Sequence, residues 1–170
     1  MNERKSVTLN QRAFLDLIAW SEGTSRVAGS DNGYNVIIGG TLFHGYGDHP
    51  RKRVRLDSKR FSTAAGRYRI RARYWDAYRR ELNLPDFSPA SQDAVALHVI
   101  SECHALQDVE AGYIVEAVRK CARVWASFSG VGFETRPKSF TTLIGKFEEF
   151  REPTSSYEES GGDGVQATGR

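Results

Sequence analysis

The segment TLNQRAFLDLIAWSEGT, residues 8–24, determines the first element of the fold. Thr8 and Gln11 have the spacing of a capping box, in which two residues satisfy each other's backbone at a helix start. The apolar residues that follow recur at helical spacing and are Phe14, Leu15, Leu17 and Ile18. Gly23 favours a helix end, because glycine readily adopts the left-handed conformation found there. The segment predicts an amphipathic helix that runs to about Glu22.

The residues after this helix indicate a small β element. Two short strands are predicted at Val36–Ile38 and Leu42–Phe43, joined by a turn at Gly39–Gly40. Residues 44–67 are rich in Gly, His, Arg and Ser, so they are predicted to form surface loops with a further strand at Val54–Leu56. Loops of this kind can move over a cleft.

Four more helices are expected along the rest of the chain. Their apolar residues recur at helical spacing, and Ser88-Pro89 and Ser139 supply start signals for two of them. The predicted spans are about 68–82, 89–102, 114–125 and 140–150. A mainly helical chain with a small β insert defines an α+β domain.

A chain of 170 residues with 39% hydrophobic content is long enough to bury a core, and one domain is expected over residues 1–150. The tail, 151–170, is polar, acidic and rich in Ser and Gly, so we expect it to be disordered. Cys103 and Cys121 fit neither a disulfide framework nor a metal clip and are predicted to be core thiols. The four histidines lack metal-binding spacing, so no metal and no cofactor are expected.

Charge is unevenly distributed along the chain. Residues 51–80 contain 12 lysines or arginines and two aspartates, whereas residues 148–170 contain six acids and two arginines. A strongly basic window is typical of proteins that bind a polyanion, which leaves open both nucleic acid and the anionic bacterial wall. A solvated basic face without a partner is the other interpretation.

Glu22 is the candidate for chemistry at the end of the first helix. A carboxylate at a helix C-terminus faces the negative end of the helix dipole, which favours the protonated form, and burial acts in the same direction. A general acid must be protonated near neutral pH. From spacing alone, the commoner interpretation is a solvated surface glutamate beside a helix-ending glycine.

Several segments resemble the bacteriophage lambda lysozyme family, and they follow one another in the family's order. They are QRAFLDLIAWSEGT (11–24), GYNVIIGGTLF (33–43), DHPRK (48–52), AGRYR (65–69), WDAYR (75–79), DFSPASQDAVAL (86–97) and VWAS (124–127). The similarity extends over roughly residues 11–150 and leaves out only the N-terminal arm and the tail. It implies a lysozyme-like fold with a substrate cleft between lobes.

The resemblance also implies an activity, that of an endolysin that cleaves the β-1,4 bond between N-acetylmuramic acid and N-acetylglucosamine in peptidoglycan. Members of the family are lytic transglycosylases, in which the muramyl 6-hydroxyl attacks its own anomeric carbon and a 1,6-anhydro product forms. Their catalytic glutamate lies in the WSEGT motif, which corresponds to Glu22. A hydrolytic muramidase on the same fold is the alternative, and a noncatalytic wall- or nucleic-acid-binding module is a remote one.

Two positions depart from the family pattern. Asn35 stands where the family has an aspartate, and an amide can hydrogen-bond a sugar but cannot act as a nucleophile or base. Arg69 replaces a glutamine that follows GRY, and its charge would favour anionic groups of the substrate if it does not simply face solvent. Asp31 and Asp48 remain possible second carboxylates, although both lie in turn-like sequence where aspartate is common.

Aromatic side chains complete the predicted cleft, since sugar rings present apolar faces. Tyr34 and Tyr68 lie close to glycines in matched segments, and Phe133 lies in a glycine-rich loop. Trp75 and Tyr78 share the apolar stripe of one helix, which favours core packing. The expected substrate-binding residues are Tyr34, Asn35, Tyr68, Arg69 and Phe133.

The sequence also carries expectations about location. No segment approaches the roughly 20 apolar residues that span a bilayer, and MNERKSVTLNQR lacks the apolar block of a secretion signal. We expect a soluble monomer in the host cytoplasm, with no membrane anchor and no nucleic-acid partner. The resemblance implies that it reaches peptidoglycan glycan strands in the periplasm only after a holin permeabilises the inner membrane.

Overall fold

The computed structural model describes residues 7–129 and 138–152, which form an α+β domain. The helices are α1 (Leu9–Ser21), α2 (Ala72–Glu81), α3 (Pro89–Glu102), α4 (Leu106–Ala111), α5 (Ile114–Cys121) and α6 (Phe140–Arg151). The antiparallel strands β1 (Val54–Arg55) and β2 (Phe61–Ser62) form a two-stranded sheet, and short 3-10 turns occupy Thr24–Arg26 and Ala126–Phe128. The expected α+β class, with mostly helix and a small β insert, is confirmed.

Helix α1 lies at the centre of the helical body and begins as its sequence predicts. Thr8 Oγ1 accepts a hydrogen bond from the Gln11 amide at 3.1 Å, and the Thr8 amide donates to Gln11 Oε1 at 3.2 Å. The helix packs against α3, α4 and α6, and its apolar residues are buried. Glu22 is its C-cap residue, and Gly23 follows with a φ of +76°. The capping box and the stop signal are both confirmed.

The β region differs from the prediction at residues 36–43. Val36 and Leu42 form a single bridge instead of two paired strands, although a tight turn does form at Gly39 and Gly40. The neighbouring backbone pairs with another segment: Ile37 bridges Ala65, the Ile38 amide donates to the Ala64 carbonyl at 2.9 Å, and the Gly66 amide donates to the Val36 carbonyl at 2.8 Å. The strand expected near residue 54 is confirmed, as β1.

The helix predictions hold for α3 and α6, and two others need correction. Helix α2 begins at Ala72 and not at 68, because residues 65–70 close into a tight turn in which Ala65 and Ile70 exchange backbone hydrogen bonds at 2.9 Å. Helix α5 ends at Cys121, before the predicted residue 125. Helix α4 was missed altogether, since six residues are too few to show a helical period.

The core lies between α1 and the later helices. Trp75 is fully buried and packs edge-on against Phe87, with ring centroids 4.9 Å apart, which confirms its predicted structural role. Cys103 and Cys121 are buried free thiols, again as expected. None of the helices within residues 7–129 and 138–152 is long and apolar enough to cross a membrane. The proposed division into a domain and an acidic tail stays a prediction, because residues 153–170 lie outside the described part.

Candidate active site

A cavity of about 460 Å³ opens between the helical body and the β region. Its walls come from the end of α1, the β1–β2 hairpin, the start of α2, the C-terminal half of α3 and residues 123–127. Ile38, Leu56, Ile70 and Val124 supply apolar surface, and Glu22 lies in the same lining. A cleft of this size with mixed apolar and polar walls is typical of a ligand site.

Glu22 occupies the cavity wall at the C-terminus of α1. Its main-chain amide donates to the Ile18 carbonyl at 2.8 Å, which fixes the residue to the last turn of the helix. Its carboxylate Oε1 accepts a hydrogen bond from Ser127 Oγ at 2.6 Å. Ser127 is 2% exposed, so this bond is shielded from bulk water and holds the carboxylate in place.

A lysine lies close to the same helix end. Lys138 Nζ donates to the Ser21 carbonyl at 3.1 Å, which places a positive charge where the helix dipole is negative. Burial lowers the pKa of Lys138, Arg26 acts in the same direction, and Glu22 acts against both. The charge environment of Glu22 therefore includes a half-buried ammonium group.

Tyr68 and Arg69, in the tight turn at residues 66–69, also line the cavity. Thr24 Oγ1 donates to the Arg67 carbonyl at 2.6 Å, and Trp125 Nε1 donates to the Tyr68 carbonyl at 3.1 Å. Arg69 has a φ of +55°, and its Nη2 lies 3.5 Å from the Glu22 carbonyl oxygen. These bonds tie the turn to the end of α1 and to the segment that carries Ser127.

A buried arginine supports this turn from behind. The Arg67 side chain is 3% exposed, and it pairs with Asp16 on α1 and donates to the Asn32 carbonyl. Burial raises the pKa of Asp16, and the guanidinium of Arg67 acts against this rise. Gln92 on α3 completes the support, because its Oε1 accepts from the Arg67 amide at 2.9 Å. The basic window therefore contributes in part to the interior of the fold.

Of the six predicted site residues, three line the cavity, two do not, and the sixth lies outside the described residues. Glu22, Tyr68 and Arg69 belong to the lining. The Tyr34 hydroxyl instead donates to Asp93 at 2.8 Å, beside the Tyr68 hydroxyl, which donates to the same oxygen at 2.6 Å. Burial, with the Asp93 charge, raises the pKa of Tyr34 to about 12. Tyr34 thus packs behind the wall that Tyr68 forms.

The remaining predicted positions have other surroundings. Asn35 Oδ1 accepts a hydrogen bond from the Asp31 amide at 2.9 Å, so it stabilises its own loop. Phe133 lies outside the described residues. His49 is buried and has the structural role expected of the histidines: its Nε2 lies 2.9 Å from the Ile70 carbonyl oxygen, and its Nδ1 accepts from the Arg51 amide.

The carboxylates considered as partners of Glu22 are engaged elsewhere. Asp31 accepts from the Tyr46 hydroxyl at 2.7 Å, and Asp48 accepts from Trp75 Nε1 at 2.7 Å. Among the lining residues that the structure describes, Glu102 is the second carboxylate. It accepts from the Tyr78 hydroxyl at 2.6 Å, at the C-terminus of α3.

Sequence reasoning did not single out several residues that line the cavity. Ser127 was noticed only as part of a matched segment, and Arg71 and Arg123 only as members of a charge count or a helix. No local pattern predicts that Ser127 is the partner of Glu22, because 105 residues separate the two. Within residues 7–129 and 138–152, no cluster of three His, Cys, Asp or Glu side chains is arranged to hold a metal ion.

A glutamate that ends a core helix and accepts a hydrogen bond from a buried serine in a cleft beside a small β region is typical of lysozyme-type enzymes. The endolysin family model matches residues 12–151. The chain is 52% identical to the endolysin of Escherichia phage lambda over 143 residues, which is 82% of this chain and 90% of that protein. It is 42% identical to the endolysin of Escherichia phage P2 over 146 residues, with 79% and 88% covered.

The fold agrees with these relationships. A structure of bacteriophage lambda lysozyme complexed with a chitohexasaccharide matches with a TM-score of 0.80 at 48% identity, covering 85% of this chain and 96% of that one. A second lambda lysozyme structure matches with a TM-score of 0.78 at 47% identity, over the same shares. The chain belongs to the endolysin family, and its fold is that of lambda lysozyme. Endolysins of this type act on the bacterial cell wall.

Proposed function

We propose that this endolysin cleaves the β-1,4 bond between N-acetylmuramic acid and N-acetylglucosamine as a lytic transglycosylase, with Glu22 as both acid and base. The observation that supports the proposal best is the placement of Glu22 in the cleft without a second carboxylate held ready beside it among residues 7–129 and 138–152. Glu102, the other described acid of the lining, is committed to the Tyr78 hydroxyl. A glycosidase that uses water needs a second carboxylate as base or nucleophile.

One glutamate is sufficient if the nucleophile belongs to the substrate. The protonated Glu22 carboxyl group donates its proton to the leaving O4 oxygen of N-acetylglucosamine as the bond to the muramyl anomeric carbon breaks. The muramyl 6-hydroxyl then bonds to that carbon and transfers its proton to the Glu22 carboxylate. The anhydro ring closes without water, and Glu22 returns to the protonated state. Intramolecular attack avoids the entropy cost of recruiting a second molecule.

Ser127 suits both halves of this cycle. Its hydroxyl donates to Oε1 of the carboxylate, at 2.6 Å, and can also accept when that oxygen carries a proton. A hydroxyl with both capacities holds the group in one orientation while its protonation changes. We therefore assign Ser127 as a positioning residue and Glu22 as the catalytic residue.

The glycan strand of peptidoglycan is the proposed ligand of the cleft. Tyr68 and Arg69 line it, and a related lysozyme of the same fold has been solved with a chitohexasaccharide. Asn35 and Tyr34 remain proposed contributors to substrate binding. Their hydrogen bonds favour an indirect contribution: Asn35 stabilises its own loop, and Tyr34 acts through Asp93. Phe133 remains a proposed contact from the glycine-rich loop.

The cellular setting proposed here follows the family. The protein acts as a monomer that accumulates in the host cytoplasm, and a holin opens the inner membrane before the enzyme meets its substrate. Part of the basic window is available to an anionic wall. Arg53 and Arg73, for example, are exposed and stack on Phe61 and Tyr74, with no carboxylate partner in the described residues.

Mass spectrometry of digested sacculi tests the reaction type. The transglycosylase predicts products with 1,6-anhydromuramic ends. The rival hydrolytic muramidase predicts reducing muramic ends that incorporate one oxygen from H₂¹⁸O. Products with mainly reducing, labelled ends would overturn the proposal. They would show that a side chain acts as the base that activates a water molecule. A noncatalytic binding module predicts no release of soluble fragments at all.

A further inference from the structure

The cleft carries more positive than negative side chains. Its described lining contains three arginines, Arg69, Arg71 and Arg123, and two glutamates, Glu22 and Glu102. Hydrogen bonding from Tyr78 already engages Glu102, and Glu22 is required for the chemistry. Neither Arg71 nor Arg123 forms an ion pair with a carboxylate within residues 7–129 and 138–152.

Arg71 is the most available of these cations. It is exposed, and no carboxylate in residues 7–129 or 138–152 lies within ion-pair distance of its guanidinium. It is the N-cap residue of α2, so the partial positive charge of that helix start adds to its own. Arg69 lies two residues earlier, with Nη2 at 3.5 Å from the Glu22 carbonyl oxygen. A positive wall thus begins beside the catalytic glutamate and continues to α2.

Arg123 lines the cavity from a different segment of the chain, just after α5. Its Nη2 donates to the Glu102 carbonyl at 2.9 Å, which anchors the side chain at the end of α3 while the residue remains exposed. The positive potential is consequently not confined to one loop. It includes the turn at Arg69, the start of α2 and the end of α3.

The sugar rings alone offer no ionic partner for these arginines, because N-acetylated rings are neutral. The muramyl ring differs, because a lactyl ether at its C3 carries a stem peptide with free carboxylates. When the anomeric carbon of that ring lies at Glu22, its stem must leave the cleft within a few bonds of the reacting centre. A guanidinium binds a carboxylate through two parallel hydrogen bonds, which combines charge with geometry.

We propose that Arg69 and Arg71, with Arg123 from the segment after α5, form an anion subsite for the stem-peptide carboxylates of the muramyl residue that is cleaved. This inference rests on the proposed action on peptidoglycan. It implies that the enzyme distinguishes peptide-bearing strands from neutral glycans of the same length by charge.

The test compares one substrate in two charge states. Glycan strands with stem peptides are used either intact or after conversion of the peptide carboxylates to amides, which removes the charge and keeps the size. The wild-type kcat/KM is expected to be about tenfold higher on the intact strands, as for a charge-assisted hydrogen bond. Added salt should reduce this preference, because the subsite opens to solvent.

Two variants of arginines at α2 test whether Arg71 causes the preference for intact strands. Arg71→Gln is expected to lose most of the preference for intact strands. Arg80→Gln is the matched control, because it removes the same charge from α2 but lies outside the cavity lining and donates to the Asp76 carbonyl at 3.0 Å. It should keep the wild-type preference. Equal kcat/KM on both substrates, or equal preference in the two variants, would overturn the subsite.

Binding provides a second readout that does not depend on turnover. In a Glu22→Gln background, calorimetry compares a peptide-bearing muropeptide tetrasaccharide with its amidated form, with and without Arg71→Gln. Weaker binding of the charged ligand alone supports the subsite, and an equal loss for both ligands contradicts it. If the wild-type enzyme cleaves neither form of the strands, the proposed function fails, and not merely the subsite.

Discussion

The Ser127 hydroxyl and the Glu22 carboxylate are joined by a 2.6 Å hydrogen bond, which links the segment after α5 to the end of α1 across 105 residues of sequence. Both partners line the cleft, and the serine is almost completely buried. The carboxylate that we propose as catalytic is therefore oriented by a side chain from a separate element, and its geometry depends on how the two elements pack.

Ser127→Ala is expected to lower kcat by about 10- to 100-fold, since a hydrogen bond to a charged group is worth about 1.5–3 kcal/mol. KM should change little, because Ser127 orients the acid and is not assigned to sugar binding. Steady-state kinetics on soluble peptide-bearing glycan strands measures both constants. Ser129→Ala is the control, because Ser129 is exposed and donates to the Ala126 carbonyl instead. A rise in KM with unchanged kcat would contradict the positioning role.

Glu22→Gln and Glu102→Gln distinguish the roles of the two acids in the described cavity lining. The first change removes the transferable proton and should reduce the rate by about 10²- to 10⁴-fold while the thermal unfolding curve is retained. The second should leave the rate within a few-fold, because Glu102 accepts from Tyr78 and has no assigned part in proton transfer. Loss of turnover in both variants would indicate a carboxylate pair.

The contrast between α1 and residues 36–43 shows which features could be predicted from the sequence. The capping box, the apolar stripe and Gly23 are local features, and they located both ends of α1 and the position of Glu22. Residues 36–43 showed strand-like composition, yet Ile37 pairs with Ala65, which no local pattern encodes. Ser127 was not predictable as the partner of Glu22 for the same reason.

Arg67 illustrates a second limit. Charge counting placed it in a basic window that suggested a polyanion surface, but its side chain is buried against Asp16. A count cannot distinguish an arginine that pairs internally from one, such as Arg71, that faces the cleft. That distinction requires the tertiary position of the neighbouring carboxylates.

Gly66→Ala is expected to destabilise the turn that carries Arg69. A methyl group there would lie 2.2 Å from Gln92 Oε1, and the backbone φ is +78°. Gly112→Ala is matched in backbone conformation, with a φ of +77°, but a methyl group there meets nothing within 4 Å. Gly66→Ala should therefore lose about 1–3 kcal/mol more unfolding free energy than Gly112→Ala, the typical cost of overpacking. Urea denaturation of the two variants gives the comparison, and equal losses would show that Gln92 moves aside freely.

Asp48 gives the fold a component of stability that depends on pH. Burial raises its pKa, but hydrogen bonds from Trp75, the His49 amide and Arg51 outweigh that effect and lower the pKa to about 2. A carboxyl group whose pKa is lower in the folded state stabilises the fold above its unfolded value near 3.9. That contribution is lost as the pH falls toward 2.

Asp48→Asn is accordingly expected to lower Tm at pH 7, with a difference from wild type that shrinks between about pH 4 and pH 2. The effect is modest, because the carboxylate is 42% exposed and solvent screens its ion pairs with Arg51 and Arg79. Asp57→Asn, on the exposed β1–β2 loop, is a charge comparison without the Trp75 contact: hydrogen bonds from the Lys59 amide and from Arg60 also lower the pKa of Asp57, so its Tm difference should likewise shrink at low pH. A Tm difference for Asp48→Asn that stays constant down to pH 2 would mean that Trp75 packing, and not the charge of Asp48, stabilises this corner.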